Sequence, residues 1–220
     1  DVYDLGEHLL VVATDRISTH DVVHKSAIPG KWTCLTKISN FWFDVLSKDE
    51  RTKDIPSQMV SPQKFPADFP EDLKERTIVV KRLKALPIEA IVRWYLYGSA
   101  LEDKNTWKKY DENTWCLPTW EFVWKGLQKC SKFKDPLFTP SKKVEWWHDE
   151  NINFDEMVKH LTDFFGWDTE KALNIANQIR DYSLKIYNVV NEYAKEKWVT
   201  LWDTKFEFWI DENGKLYIID

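Results

Sequence analysis

Glycine is scarce: the chain has 6 in 220 residues, where average usage of about 7% would place roughly 15. Few positions are left where the backbone turns through positive φ or where a ligand approaches it closely. The three cysteines, Cys34, Cys116 and Cys130, are odd in number and lack CxxC spacing. That argues against a disulfide framework and a zinc site, and fits a reducing, cytoplasmic setting. No apolar run approaches the ~18 residues of a membrane-spanning helix, and the N-terminal stretch has no signal-peptide pattern. Basic excess is lacking too. With 31 Lys and Arg against 36 Asp and Glu the net charge is −5, so neither a nucleic-acid nor a membrane partner is expected, despite local basic patches at 125–134 and Lys142-Lys143. No internal repeat or low-complexity tract is evident.

What is present is a large apolar fraction, 43%, with 13 Trp. This is enough for a real core in one large domain or two small lobes. The most informative stretch is the C-terminal run from Thr200 to Asp220, which reads as a β-hairpin. Asn213-Gly214 would form a two-residue primed turn. Counting back from it, Ile210 faces Tyr217 and Glu207 faces Asp220, while Asp203, Lys205 and Glu207 alternate onto the same face. Carboxylates directly opposite, roughly 5 Å apart, repel and weaken the sheet. A divalent cation such as Mg²⁺ would remove that penalty, and a lysine beside it suits an anionic substrate. A chance charge pattern on a solvated hairpin, or a bulge that shifts the register, is the competing reading.

Along the chain, an apolar strand at Leu9–Ala13 runs into the polar loop from Thr14 to Asp21, a usual way to present binding groups. Cys34–Lys48 has helical spacing, with Leu35, Ile38, Phe41, Trp42, Val45 and Leu46 as its core-facing stripe. Residues 49–75 carry four prolines and read as loop. Two β-rich runs, Thr77–Leu83 and Ile88–Leu96, meet at Pro87, the expected boundary between a small antiparallel N-terminal lobe (1–86) and a larger lobe (87–220). Residues 101–147 show little periodicity and read as a surface excursion. Asn153 and Glu156 form a capping box for a helix ended by Gly166, and Asp168 or Thr169 starts a long helix to about Lys197. The element order is α+β.

These pieces taken together resemble a known family. They are Ala13-Thr-Asp-Arg-Ile-Ser18 with Asp21, Ile28-Pro-Gly-Lys31, Pro87-Ile-Glu-Ala-Ile-Val-Arg93 with Gly98-Ser99, Phe138-Thr-Pro-Ser141, His148-Asp-Glu-Asn-Ile152, Asp203-Thr-Lys-Phe-Glu-Phe208 and Ile219-Asp220. Each is weak alone, but their joint order and spacing are specific. They resemble the SAICAR synthetases of purine biosynthesis, in the fungal-type single-function form.

The resemblance implies an α+β, two-lobed fold with an ATP-grasp-like nucleotide cleft. It also implies ATP-dependent joining of the ribotide CAIR to L-aspartate, through an acyl phosphate, to give SAICAR, ADP and phosphate. It assigns Lys205 and Asp203 to catalysis and Glu207 and Asp220 to Mg²⁺. Lys81, Leu83 and Glu207 are assigned to ATP. Asp15, Arg16, Ser18, Asp21, Arg93, Ser99 and Asp149 are assigned to substrate, although loop residues of these types also serve as caps and turns. Monomer and homo-oligomer stay open.

The chain departs from the family pattern in two ways. It starts after a Gly-Lys phosphate-covering loop and stops before a basic Pro-Asp-Ser-Ser-Arg type segment, so those parts of the site are expected outside it. Second, Trp32, Trp94, Trp107, Trp198 and Trp209 stand where the family carries glycine, and Trp146-Trp147 replaces a glycine-containing pair. An indole at such points is expected to clash or force rearrangement, at roughly 1–3 kcal/mol per overpacked site. Trp209, two residues after Glu207, is expected to project toward metal and phosphates. An engineered or inactive scaffold that keeps the fold is therefore the alternative function.

Overall fold

The computed structural model describes residues 1–19, 22–103, 108–119, 122–144 and 149–220; Asp21, Trp107, Trp146 and Trp147 lie outside them. In chain order the strands are β1 (Val2–Asp4), β2 (His8–Val12), β3 (Ser18–Thr19), β4 (Val22–Val23), β5 (Thr77–Lys81), β6 (Lys84–Tyr95), β7 (Glu102–Asp103), β8 (Lys108–Lys109), β9 (Lys132–Phe138), β10 (Ser141–Lys142), β11 (Glu150–Asn151), β12 (Asp203–Ile210) and β13 (Leu216–Ile218). The helices are α1 (Lys31–Lys48), α2 (Phe154–Phe164) and α3 (Thr169–Glu196). The class is α+β, as expected.

The main sheet is antiparallel, in the order β11-β10-β6-β12-β13, with β9 pairing further along β6. On β6, Leu86, Ile88, Ala90 and Val92 point to one face, and on β12, Phe206, Phe208 and Ile210 join them there in the core. Met157 and Leu161 of α2 and Ile175, Ile179 and Ile186 of α3 cover that face. Period-2 alternation therefore sends Glu89, Arg93, Lys205 and Glu207 to the opposite face. A second sheet, β1-β2-β5, lies nearby. The segment at 56–60 bridges the two sheets, since Gln58 N–H donates to the Ile218 carbonyl (3.0 Å) and Lys81 N–H to that of Gln58 (2.9 Å).

Local chemistry explains the helix ends. The capping box is present: Glu156 N–H donates to Asn153 Oδ1 at 2.8 Å and Asn153 N–H to Glu156 Oε2 at 2.9 Å. Gly166 closes α2 with φ 66°, and Asp168 caps α3 by accepting from Lys171 N–H at 3.0 Å.

Two expectations are corrected. The stripe assigned to the core on α1 is split: Leu35, Ile38 and Phe41 are exposed, Leu46 packs on the core as expected, and Phe43, outside the stripe, joins it. Leu35 and Ile38 line the open cavity between α1 and the sheets, which leaves them accessible. The excursion at 101–147 is more than surface loop. It supplies β9 and β10 to the main sheet and closes a small core of its own around Leu96, Tyr110, Leu117, Leu127 and Phe133.

Helix α3 ends in a motif that calls for glycine. Val199 N–H donates to the Ala194 carbonyl (2.9 Å) and Trp198 N–H to that of Lys195 (3.0 Å), the two bonds of a Schellman ending. Trp198 occupies its left-handed position at φ 61° and is 98% exposed, so it accepts the steric strain with no burial in return. Trp198→Gly is expected to stabilise the chain by about 1 kcal/mol, read from urea unfolding.

Burial, assisted by the charge of Lys142 and opposed by Asp163, lowers the pKa of His160, whose Nε2 is buried without a hydrogen-bond partner. The unfolded chain takes up this proton near ~6.5 and the folded chain only at lower pH, so its contribution to stability is complete above ~6.5 and is lost as pH falls toward the folded pKa. The melting temperature of His160→Gln should therefore fall less steeply than that of the parent between pH ~7 and ~5.

Candidate active site

The charged face of the β6–β12 pair gathers most of the predicted residues. Their register sets Asp203 opposite Arg93, Lys205 opposite Ile91 and Glu207 opposite Glu89. Arg93 is 3% exposed, and its guanidinium is held by donated hydrogen bonds: Nε to Thr139 Oγ1 (2.7 Å), Nη2 to Ser99 Oγ (3.1 Å) and Nη1 to the Tyr97 carbonyl (3.4 Å). Asp203 lies 3.9 Å from Nη1. A buried charge needs such partners to offset its lost hydration. Arg93 and Ser99, six residues apart, thus form one cluster with the distant Asp203.

Glu89 was not among the sequence candidates, yet it is the centre of the second cluster. It is buried, 7% exposed, directly across from Glu207. Lys205 separates the two like charges: its Nζ is hydrogen-bonded to Glu89 Oε1 and lies 3.5 Å from Glu207 Oε1. Ser141 Oγ donates to Glu89 Oε2 at 3.3 Å, and Asp149 shares a hydrogen bond with Glu89. Lys143, also missed, places Nζ 2.5 Å from Glu207 Oε2. The available signals were the position of Glu89 four residues before Arg93 on one strand face, and the Lys142-Lys143 patch.

The hairpin register expected from Asn213-Gly214 is wrong by one residue. Ile210 faces Leu216, Trp209 faces Tyr217 and Phe208 faces Ile218. The cause is Asp211. Its carboxylate accepts from the N–H groups of Asn213 (3.0 Å) and Lys215 (2.9 Å), while its own N–H donates to the Lys215 carbonyl (3.0 Å). This leaves a three-residue loop with Gly214 at φ 79°, a favoured alternative to the two-residue turn. Glu207 therefore does not sit squarely opposite Asp220. Instead its N–H donates to the Asp220 carbonyl (2.9 Å) and its carbonyl accepts from Ile219 (3.0 Å), so the two carboxylates come together all the same.

Electrostatics reflect this crowding. Desolvation, then the Glu207 charge, raises the Asp220 pKa, with Lys205 and Lys143 pulling it back. Desolvation, then the Glu89 charge and hydrogen bond, raises that of Asp149. For Lys205, burial works to lower the pKa, but the hydrogen bond and charge of Glu89, with help from Glu207, leave it raised. Among the described residues no three His, Cys, Asp or Glu side chains are grouped to hold a metal ion; lysines occupy both oxygens of Glu207.

Two cavities of about 550 Å³ flank this network. One is lined by Glu89, Tyr97, Ser99, Ser141, Asp149 and Asn151. The other runs between α1 and the sheets, past Ala13, Asn40, Ile78, Thr204, Lys205 and Asp220. Lys205 lines the second and bonds a carboxylate of the first. A smaller cavity of about 350 Å³ holds Lys81 beside Tyr217; Leu83 lies between β5 and β6.

The N-terminal loop residues are not brought to these clusters. Asp15 caps α1, accepting from the N–H groups of Gly30 and Trp32, each at 3.0 Å. Arg16 pairs with Asp1 at 2.6 Å, and Ser18 lies in the exposed β3–β4 pair. Trp209 follows a β-bulge after Glu207 and is half-buried; it lines neither large cavity. The indole Nε1 atoms of Trp209 and Trp94 are buried without hydrogen-bond partners.

The fold is α+β, and lysines pair with largely buried carboxylates between two cavities, a polar, charge-bearing class of site. The model of the SAICAR synthetase family matches residues 1–220. Phosphoribosylaminoimidazole-succinocarboxamide synthase of Schizosaccharomyces pombe is 39% identical over 230 residues, spanning all of this chain and 69% of that protein. That of Elusimicrobium minutum is 38% identical over 229 residues, covering all of the chain and 70% of the relative. In three dimensions, SAICAR synthase from Saccharomyces cerevisiae, solved with SAICAR, aligns with TM-score 0.75 and 33% identity over the whole chain and 69% of its own. The chain belongs to the SAICAR synthetase family, ligases of purine biosynthesis.

Burial and then the Glu89 charge raise the Asp149 pKa, and Glu89→Gln removes that charge while keeping an acceptor oxygen. The Asp149 titration, followed by carbon-13 NMR of its carboxyl, is expected to move to lower pH.

Proposed function

We propose that the chain carries out the ATP-dependent joining of CAIR and L-aspartate to SAICAR, with release of ADP and phosphate. The observation that carries this reading is the Lys205 bridge, a single ammonium group on the wall of one cavity bonded to a carboxylate of the other. The CAIR carboxylate is a poor acylating group. Phosphorylation by ATP gives it a leaving group, and attack by the aspartate amine then forms the amide and expels phosphate. Such chemistry depends chiefly on positioning and on neutralising charge. Lys205 would hold the reacting carboxylate, with Asp203 beside Arg93. Arg93 and Ser99 would hold the ribotide phosphate, for which a guanidinium fork is suited, and Asp149 would line the same cavity.

Mg²⁺ fits the donor set, since Glu207 and Asp220 supply hard oxygen ligands, and burial, then the Glu207 charge, raises the Asp220 pKa. When bound, the ion would neutralise phosphate charge. In this reading residues 1–86, with Lys81 and Leu83, form the nucleotide side, and residues 87–220 carry the substrate and metal groups. Asp15, Arg16, Ser18 and Asp21 would act on substrate through the loop that Asp15 ties to α1. The reaction is placed in the cytoplasm, in keeping with three cysteines among which no disulfide forms.

A second reading, a scaffold that keeps the fold without the activity, is favoured by the unpartnered indoles of Trp94 and Trp209. Calorimetric titration with ATP and Mg²⁺ separates the two: a folded full-length protein, with the N-terminal phosphate-covering loop restored, that binds neither is the scaffold.

The ligase reading is tested by ADP release that requires both CAIR and aspartate. ADP formed without CAIR would disprove the substrate assignment. Ser99→Ala removes a hydrogen bond to a charged phosphate and should raise the KM for CAIR roughly 10-fold or more with kcat little changed.

A further inference from the structure

Lys143 is positioned more firmly than a surface lysine needs to be. Its N–H donates to the Pro87 carbonyl at 3.0 Å, anchoring it just past β10. Alternation along this stretch then divides the basic pair. Lys142 reaches Glu150 at 2.6 Å, whereas Lys143 reaches Glu207 Oε2 at 2.5 Å. With Lys205 near Oε1, both oxygens of Glu207 face ammonium groups. The two lysines differ in their hold. Lys205 is also bonded to the buried Glu89, while Lys143 Nζ is bonded, among the described residues, to Glu207 alone and its side chain is 35% exposed. A monovalent ammonium on a flexible stem is readily displaced by a divalent ion.

Resting on the Mg²⁺ reading above, we propose that Lys143 is an internal counter-cation: a positioning residue that holds Glu207 in the metal-free chain and competes with the divalent ion for it. Its presence sets the order of events. The ion alone meets a site already neutralised, and binds well only when nucleotide phosphates offer Lys143 an alternative anion.

The test measures Mn²⁺ binding by electron paramagnetic resonance, with and without ADP. Lys143→Met should bind Mn²⁺ without nucleotide about 5-fold more tightly than the parent, since the competing charge is gone. The gap between the ADP-free and ADP-bound affinities should narrow. Lys143→Arg and Lys142→Met should behave as the parent does. Unchanged or weaker Mn²⁺ affinity in a folded Lys143→Met overturns the proposal while leaving the Mg²⁺ reading intact. If the parent fails to bind Mn²⁺ even with ADP, the Mg²⁺ reading itself fails and this inference goes with it. Should Lys143→Met not fold, Lys143→Gln provides the same comparison.

A separate inference rests on backbone geometry. All six glycines have positive φ, between 60° and 87°, and among the described residues four others share it: Trp115 (55°), Cys130 (69°), Trp167 (73°) and Trp198 (61°). Tryptophan is a poor choice there, because its Cβ meets the backbone. The buried, unpartnered indoles of Trp94 and Trp209 are a second kind of misfit. Trp94 does pack edge-on against Tyr187 at 6.2 Å, whereas Trp42 shows neither misfit, with no positive φ and no buried unpartnered nitrogen.

We infer that the source organism places glycine at 94, 115, 167, 198 and 209, through UGA codons. UGA lies one base from the tryptophan codon UGG and one from the glycine codon GGA. Sequencing the gene and weighing peptides of the native protein tests this. UGA codons with glycine-mass peptides at these positions, and UGG at Trp42, are expected. UGG codons or tryptophan-mass peptides at the five positions overturn it.

Discussion

The antiparallel pairing of β6 with β12 is the constraint on which the rest depends. It sets Arg93 near Asp203 and Glu89 against Glu207, the latter a contact of like charges that would be unfavourable without intervening cations. Lys205 and Lys143 supply those cations. The same pairing sends Leu86, Ile88, Phe206 and Phe208 to the other face, so the register that builds the core also builds the site. A slip of one residue would bury the charges and expose the apolar set.

The helices support that register from behind. Tyr187 of α3 is fully buried, and its hydroxyl donates to the Leu201 carbonyl at 2.8 Å, which fixes the approach of the chain into β12. Burial raises the Tyr187 pKa well above the usual phenol range, so this donor stays protonated. The capping box of α2 and the Asp168 cap of α3 set where each helix begins. Site residues on strands backed by packed helices are held more rigidly than residues on loops.

The tryptophans conflict with this consistency. Core strands, caps and turns agree with one fold, as foldable sequences require, whereas Trp198 takes a glycine conformation in water and Trp94 and Trp209 bury unsatisfied donors. Among the described residues tryptophan accounts for three of the four non-glycine residues at positive φ and for two of the six buried side-chain atoms without a hydrogen-bond partner. That points to a property of those positions rather than of the fold.

Much of the architecture was legible in the residues. Asn153-x-x-Glu156, Gly166 and Asp168 mark helix ends through bonds made within a few residues, and the apolar alternation of β6 and β12 follows from a period that holds wherever one face is buried. The family motifs named Lys205, Glu207, Asp220, Arg93 and Ser99 before any of them had a position in space. What the sequence left open depended on competition between local options or on distant partners. Asn213-Gly214 permits a two-residue turn, but the Asp211 carboxylate binds two nearby N–H groups and selects the three-residue loop. Asp15 reads equally well as a ligand group or a cap, and only the placement of α1 made it a cap. Glu89 and Lys143 carry no local signal of their pairing with Lys205 and Glu207, because those contacts span 116 and 64 residues and exist only once the sheet has brought the strands together.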